Sequence, residues 1–166
     1  MKTKIYYLTA FLFFFVANFV NVTGGNLTEN HSGDEKEKVK KEFLAVWEFF
    51  NSTDFTDSLN FKKYLENYAD DYVSFSKEGE PPVTGKQSLM WIGGLLKKYK
   101  PKFDVTVDKI EVSGDLAVVF YHYHEFFTSR ETGDVAVDTH HSAMSVLRRD
   151  EGGKWENVFN KWGLGK

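Results

Sequence analysis

The feature that most constrains this chain is a set of long strands that are apolar on both sides. Side chains alternate across a strand, so residue parity separates its two faces. In the stretch Leu116–Thr128, Leu116, Val118, Phe120 and Phe126 share one parity. Val119, Tyr121, Tyr123 and Phe127 share the other. A single-layer sheet with two apolar faces needs a cover on each. Helices elsewhere in the chain can cover one. A second copy is the natural cover for the other, so a homodimer is expected, with Val119, Tyr121, Tyr123 and Phe127 against the partner.

The strands are ordered by their turns. Phe103, Val105 and Val107 alternate, and Ile110 and Val112 then change parity, which predicts a bulge near Asp108. Ser113-Gly114-Asp115 is a tight turn into Leu116–Thr128. Arg130–Gly133 turns back into Val135–Arg149, and Asp150–Gly153 turns again into Trp155–Trp162. Upstream the period changes. Val39, Phe43, Val46, Trp47 and Phe50 recur at helical spacing in a helix expected from about Asp34. Asn51–Asp57 breaks it. A second helix is expected over Ser58–Tyr68, then a short strand over Tyr72–Ser76 and a loop at Gly79-Glu80-Pro81-Pro82. Thr84 and Gln87 fit a capping box for a third helix that buries Leu89, Ile92, Leu95, Leu96 and Tyr99, with Pro101 as its stop. Three helices followed by an antiparallel meander is an α+β pattern.

The first residues do not read as part of this domain. Lys2 and Lys4 precede an apolar run from Ile5 to Val20, and small residues follow near Gly24. That is the pattern of a secretory signal, and the run is short for a membrane span of about 20 residues. The expected organisation is a signal over 1–24, a polar spacer over 25–34 and one domain over 35–166. The product would be secreted or periplasmic, with no stable membrane span after cleavage. Asn21, Asn26, Asn30 and Asn51 each open an Asn-x-Ser/Thr triplet. In a eukaryotic secretory pathway the last three could carry glycans; in a bacterium they are polar loop residues.

Charge and cysteine content exclude several functions. The chain has 21 basic and 24 acidic residues and no cysteine. Without Lys2 and Lys4 the balance is more acidic still. An acidic chain with no basic block is a poor nucleic-acid binder. Without cysteine there is no disulfide and no thiol nucleophile. Stability must come from the core, for which a 42% hydrophobic and 17% aromatic chain has the material. Trp47, Tyr64, Trp91 and Trp155 are expected there. Asp70 and Asp71 read as solvent-facing residues at a helix–strand corner.

Several segments resemble one family. Tyr68-Ala69-Asp70-Asp71 followed by Gly79-Glu80-Pro81-Pro82-Val83-Thr84-Gly85-Lys86 is similar to the helix-to-strand corner of the nuclear transport factor 2-like superfamily, in its SnoaL-like and ketosteroid isomerase-like members. Ser113-Gly114-Asp115-Leu116-Ala117-Val118 fits the same group's Gly-Asp-x-Ala turn. Gly153-Lys154-Trp155-Glu156-Asn157-Val158-Phe159-Asn160-Lys161-Trp162-Gly163 resembles its last strand, most of all in the calcium/calmodulin-dependent kinase association domain. The resemblance covers about 35–163. It implies a cone, in which a curved antiparallel sheet wraps three N-terminal helices around an interior pocket, often dimeric through the sheet's outer face. It does not carry over the isomerase chemistry. The position of that group's carboxylate base falls on Ser76, and that of its tyrosine donor near Val46 or Trp47. Where the last strand often has His and Arg, this chain has Phe159, Lys161 and Trp162.

The pocket's polar groups are read from parity. If the Arg130–Gly133 hairpin pairs His124 with Asp138 and His122 with His140, three histidines and a carboxylate converge on one face, and the resemblance turns that face inward. As candidate catalytic groups, His122, His124, Asp138 and His140 could move a proton, with Asp138 fixing a tautomer. Three histidines could instead hold zinc with an open position. A hydrogen-bonded polar patch is the plain alternative. Candidate ligand contacts are Trp47, Tyr72, Phe120, Met144, Asn160 and Trp162, with Phe126, Ala136 and Ser142 on the same face. His141 points to the opposite face. No cofactor is expected beyond that zinc alternative. The sequence implies a small, largely apolar organic ligand, with a non-enzymatic dimerisation or interaction module as the competing function.

Overall fold

The computed structural model describes residues 29–75 and 80–163, with side chains from Gly33 onward. The expected signal, Asn21, Asn26 and Ser76 lie outside the described residues. The elements are α1 (Glu29–Ser52), α2 (Ser58–Leu65), β1 (Tyr68–Phe75), β2 (Val83–Thr84), a 3-10 turn (Lys86–Leu89), α3 (Met90–Lys98), β3 (Tyr99–Ser113), β4 (Leu116–Ser129), β5 (Val135–Arg149) and β6 (Trp155–Trp162). Helix α1 starts inside the segment read as spacer. Glu35 pairs with Arg149 at 2.7 Å, Lys36 with Glu111 at 2.9 Å, and Val39 is fully buried. With its second and third turns fixed in this way, extending the helix backward adds hydrogen bonds without a new nucleus.

Asp57 caps α2 by accepting a hydrogen bond from the Leu59 amide at 2.8 Å. The helix stops at Leu65 rather than Tyr68, because Tyr68 already pairs with Asn157 in the sheet. The expected capping box is not formed. Thr84 ends β2, and the turn begins at Gly85, with φ of 76° and no side-chain cap. Gly85 donates its N–H to the Tyr72 carbonyl at 2.6 Å, in a conformation that favours glycine. Pro101 does not stop α3 either. It lies within β3, the sheet's edge strand, where a missing N–H is tolerated.

The sheet is ordered β2-β1-β6-β5-β4-β3. It is mixed, not antiparallel throughout. The β3–β6 meander is antiparallel, but β1 joins β6 in parallel, with Ser74 opposite Asn160. Strands β5 and β6 run as the sequence implies, and the bulge in β3 falls between Val107 and Lys109. The β4–β5 register differs from the expected one. Ser129 and Asp134 close the hairpin by a backbone bond of 2.8 Å, and a bulge sits between Phe127 and Thr128. His124 therefore faces His140, His122 faces Ser142, and Phe126 faces Asp138.

The three helices fall on the face opposite to the expected one. Ala117, Val119, Tyr121, Tyr123 and Phe127 of β4 are buried with Ala143 and Leu147 of β5 in the main core. Aromatic rings from α1 fill it. Trp47 lies within 6.3 Å, ring to ring, of Phe43, Phe103, Tyr121, Tyr123 and Trp162. Asn51 ties the same helix to β3, donating to the Phe103 carbonyl at 2.7 Å and accepting from its amide at 2.8 Å. Its side-chain nitrogen and oxygen both bond to the β3 backbone. Trp155 and Tyr64 are buried as expected, but Trp91 is 66% exposed.

Candidate functional site

A cavity of about 850 Å³ opens on the covered face of the sheet. Trp47, Phe50, Phe103, Tyr123, Phe127 and Trp162 supply aromatic walls, and Leu89, Ile92 and Leu95 of the 3-10 turn and α3 supply aliphatic ones. Trp91 and Val83, both exposed apolar residues, also line it. α3 approaches α2 closely enough that a Cβ at Gly93 would come within 3.2 Å of the Phe61 ring. A cavity of this size and composition matches those that enclose small organic molecules.

The lining brings together one carboxyl and one imidazole, Glu125 and His141. They sit on adjacent strands. Glu125 is opposite Thr139, His141 is opposite Tyr123, and the two are therefore diagonal neighbours on one face. Burial pushes the Glu125 carboxyl above its ordinary range, with the His141 charge opposing that shift. His141 stacks on the Tyr123 ring at 5.2 Å, and its Nε2 shares a hydrogen bond of 2.9 Å with Thr139 Oγ1. The ring is thereby fixed from one side and beside one, and the pair offers one proton donor and one acceptor to whatever enters.

Phenols add further donors. Tyr64 and Tyr68 line the cavity and are hydrogen-bonded through their hydroxyls. Burial holds both well above the ordinary phenol range, so they remain protonated. One hydroxyl of such a pair spends its proton on the other, and the second proton is left for another acceptor. Ser74 accepts from Trp162 Nε1 at 3.0 Å, which orients the indole at the cavity wall.

The histidines singled out by parity are elsewhere. His122, His124, Asp138 and His140 do share one face, as their spacing requires, but it is the outer face of the sheet. His122, Asp138 and His140 are exposed there, and His124 is partly buried. His122 pairs with Asp108 at 2.8 Å, and His124 with Asp138 at 2.6 Å. His140 stacks on His124 at 4.3 Å. Among the described residues no three His, Asp or Glu side chains are grouped to hold a metal ion, so the zinc alternative has no donor set.

Of the expected ligand contacts, Trp47 and Trp162 line the cavity. Tyr72 and Asn160 are on the covered side but buried within the core. Phe120 and Met144 face each other on the outer side, because Met144 pairs with Lys161 of β6 while Asn160 pairs with Ser145. Phe126 and Ser142 share the outer parity, whereas Ala136 lines the cavity. His141 and Glu125 are the residues that sequence reasoning missed. A signal for them existed in β3, where Phe103, Val105 and Val107 alternate with Lys102, Asp104 and Thr106. Carrying the apolar side of β3 across the turn at Gly114 selects Val119, Tyr121, Tyr123 and Glu125 as the inner set.

This architecture has known counterparts. No protein-family model and no curated protein matches the sequence. Solved structures do match. A ketosteroid isomerase-like protein from Erwinia carotovora atroseptica aligns over 78% of this chain and 95% of its own, at TM-score 0.61 and 20% identity. A nuclear transport factor 2-like superfamily protein from Salmonella enterica aligns over 79% and 92%, at TM-score 0.58 and 16% identity. The chain has the nuclear transport factor 2-like fold. A protein from Catenulispora acidiphila solved in complex with S-DNPA aligns over 79% of this chain and 93% of its own, at TM-score 0.61 and 12% identity. These likenesses are structural, and one fold of this kind hosts many activities.

Proposed function

We propose that this domain binds a small, largely apolar organic molecule in the aromatic cavity and moves a proton on it with Glu125 and His141. The observation that carries the reading is the placement of a carboxyl–imidazole pair in a largely apolar space of about 850 Å³. A carboxyl raised by burial and an imidazole nearby are suited to general acid–base work near neutral pH. The Tyr64–Tyr68 pair would donate to an oxygen of the ligand as charge develops there. The complex of the Catenulispora acidiphila protein with S-DNPA supports the use of this fold as a ligand site.

Two measurements test the proposal. Titration with anilinonaphthalene sulfonate, an apolar aromatic probe, should produce saturable fluorescence that Trp162→Ala weakens. Solvent deuterium incorporation next to the carbonyl of a cyclic enone should be slowed about 100-fold or more by Glu125→Gln or His141→Ala. Binding without exchange would leave a carrier; no binding would remove the site.

The reading has two further parts. The outer sheet face joins two copies of the chain, since the helices leave it uncovered and Leu116 and Phe120 are exposed on it. Residues 1–24 act as an export signal, and N-terminal sequencing of the protein recovered outside the cytoplasm should begin near Gly24. No helix among the described residues is long and apolar enough to cross a membrane.

A further inference from the structure

Helix α3 has two faces of different composition. Leu96 is buried in the core, Ile92 and Leu95 pack against it, and the last two also reach the cavity. Met90, Trp91, Gly94, Lys97 and Lys98 recur at the spacing of the opposite face, and all five are exposed. That face presents two large apolar side chains at its first turn and two lysines at its last, with no carboxylate between them.

The chain as a whole is acidic, with 24 acidic residues against 21 basic ones, but this end of it is not. The carboxylates at the two ends of α3 already have cations. Before the helix Asp70 pairs with Lys86 at 2.6 Å. Beyond it Asp54 pairs with Arg130 at 3.2 Å, where the Arg130 amide donates to the Lys98 carbonyl. Among the described residues Lys97 and Lys98 have no carboxylate partner. Helix α2, which meets α3 where Phe61 approaches Gly93, repeats the combination with exposed Leu59, Lys62 and Lys63, and Glu66 is the acid of that face.

The cavity opens at the same place. Trp91 lines it as well as standing exposed, and so does Val83. An indole favours a boundary that is apolar on one side and wet on the other. Apolar side chains at a cavity lip, with unpaired lysines one helix length away, match the acyl boundary and the phosphates of an anionic bilayer. A two-fold pairing of this face with a second copy would instead set lysines against lysines.

We propose that this end of the domain docks on an anionic lipid bilayer. Met90 and Trp91 enter the headgroup boundary, and Lys97 and Lys98 lie against the phosphates. The cavity mouth then faces the bilayer, so an apolar ligand passes between membrane and cavity without crossing water. That route rests on the cavity reading above; the docking does not.

The test uses the full chain and phosphatidylcholine vesicles with or without about one quarter phosphatidylglycerol, carrying brominated acyl chains that quench indoles on contact. Ile5–Val20 is apolar in its own right, so binding alone does not decide and the readout is local to α3. The emission that Trp91→Phe removes belongs to Trp91, since Trp47, Trp155 and Trp162 are retained. This emission should be quenched on the anionic vesicles. The lipid concentration for half-quenching should rise about tenfold or more on the neutral vesicles, and equally with Lys97→Gln/Lys98→Gln. Glu125→Gln should change neither value, which separates the docking from the acid–base reading. Trp91 emission that stays unquenched on anionic vesicles would overturn the docking. Quenching that is equal on both vesicle types and indifferent to the two lysines would overturn the recognition of an anionic surface.

Discussion

Phe120 and Tyr121 are adjacent in β4, yet one is 36% exposed and the other 1%. The difference continues along the strand. On the inner side Val119, Tyr121 and Tyr123 meet α1 through Phe43 and Trp47, and the side that carries Glu125 ends at the cavity. On the outer side Phe120 and His122 are exposed, Val118 and His124 are half-buried, and the strand is bounded by the charges of β3. The comparison teaches that apolar content alone does not locate a core. Both faces are rich in large side chains. What separates them is which one faces the aromatic ridge of α1, and that face also acquires the half-buried carboxyl of Glu125.

The contrast should be visible in stability. Trp47→Ala removes the ring that touches five others and should lower unfolding free energy by about 3–5 kcal/mol in a denaturant titration. An effect below about 1 kcal/mol would mean that the inner face is not packed as described. Asn51→Ala should cost about 1–3 kcal/mol, because the Phe103 amide and carbonyl lose their partner. Loss of the same size for Asn51→Asp would show that the donor to Phe103 matters most.

A smaller effect carries a sign. The folded-state pKa of Glu125 is raised by burial, so the folded protein holds this proton to higher pH than the unfolded chain. Stability from this group is full below the unfolded value and falls as pH rises through the folded one. Glu125→Gln should therefore raise the thermal midpoint at neutral pH and leave it unchanged in acid. A lower midpoint at neutral pH would mean that the carboxylate is held by a partner. The outer face should respond least. Phe120→Ala, assayed at a concentration where the protein is monomeric, should shift unfolding by less than about 0.5 kcal/mol. A shift comparable to that of Trp47→Ala would erase the distinction between the faces.

Much of the fold is legible in the sequence because turns and periodicity are local. Gly114, Arg130–Gly133 and Asp150–Gly153 mark the meander, and Val135–Arg149 and Trp155–Trp162 occur where they are read. The parallel joining of β1 to β6 is not local, since it brings Ser74 beside Asn160. The capping box at Thr84 failed for a similar reason. β1 recruits Val83 and Thr84 as a short partner strand, and Gly85 takes over the turn.

The site was less legible. Parity correctly groups His122, His124, Asp138 and His140, but it cannot say which side of the sheet the helices will occupy. With large apolar residues on both sides, hydrophobicity does not decide. The amphipathic alternation of β3 does, once its pairing with β4 is followed through the Gly114 turn. That pairing leads to Glu125, and from it to His141 by the diagonal across β5.

The most direct test is a histidine-resolved nuclear magnetic resonance titration with anilinonaphthalene sulfonate, with the probe added in steps to isotope-labelled protein. The account predicts that the His141 imidazole signals move and saturate with the probe, while those of His122, His124 and His140 stay in place. Movement of the outer three with His141 unchanged would place the ligand on the exposed face and contradict the assignment of the cavity as the site.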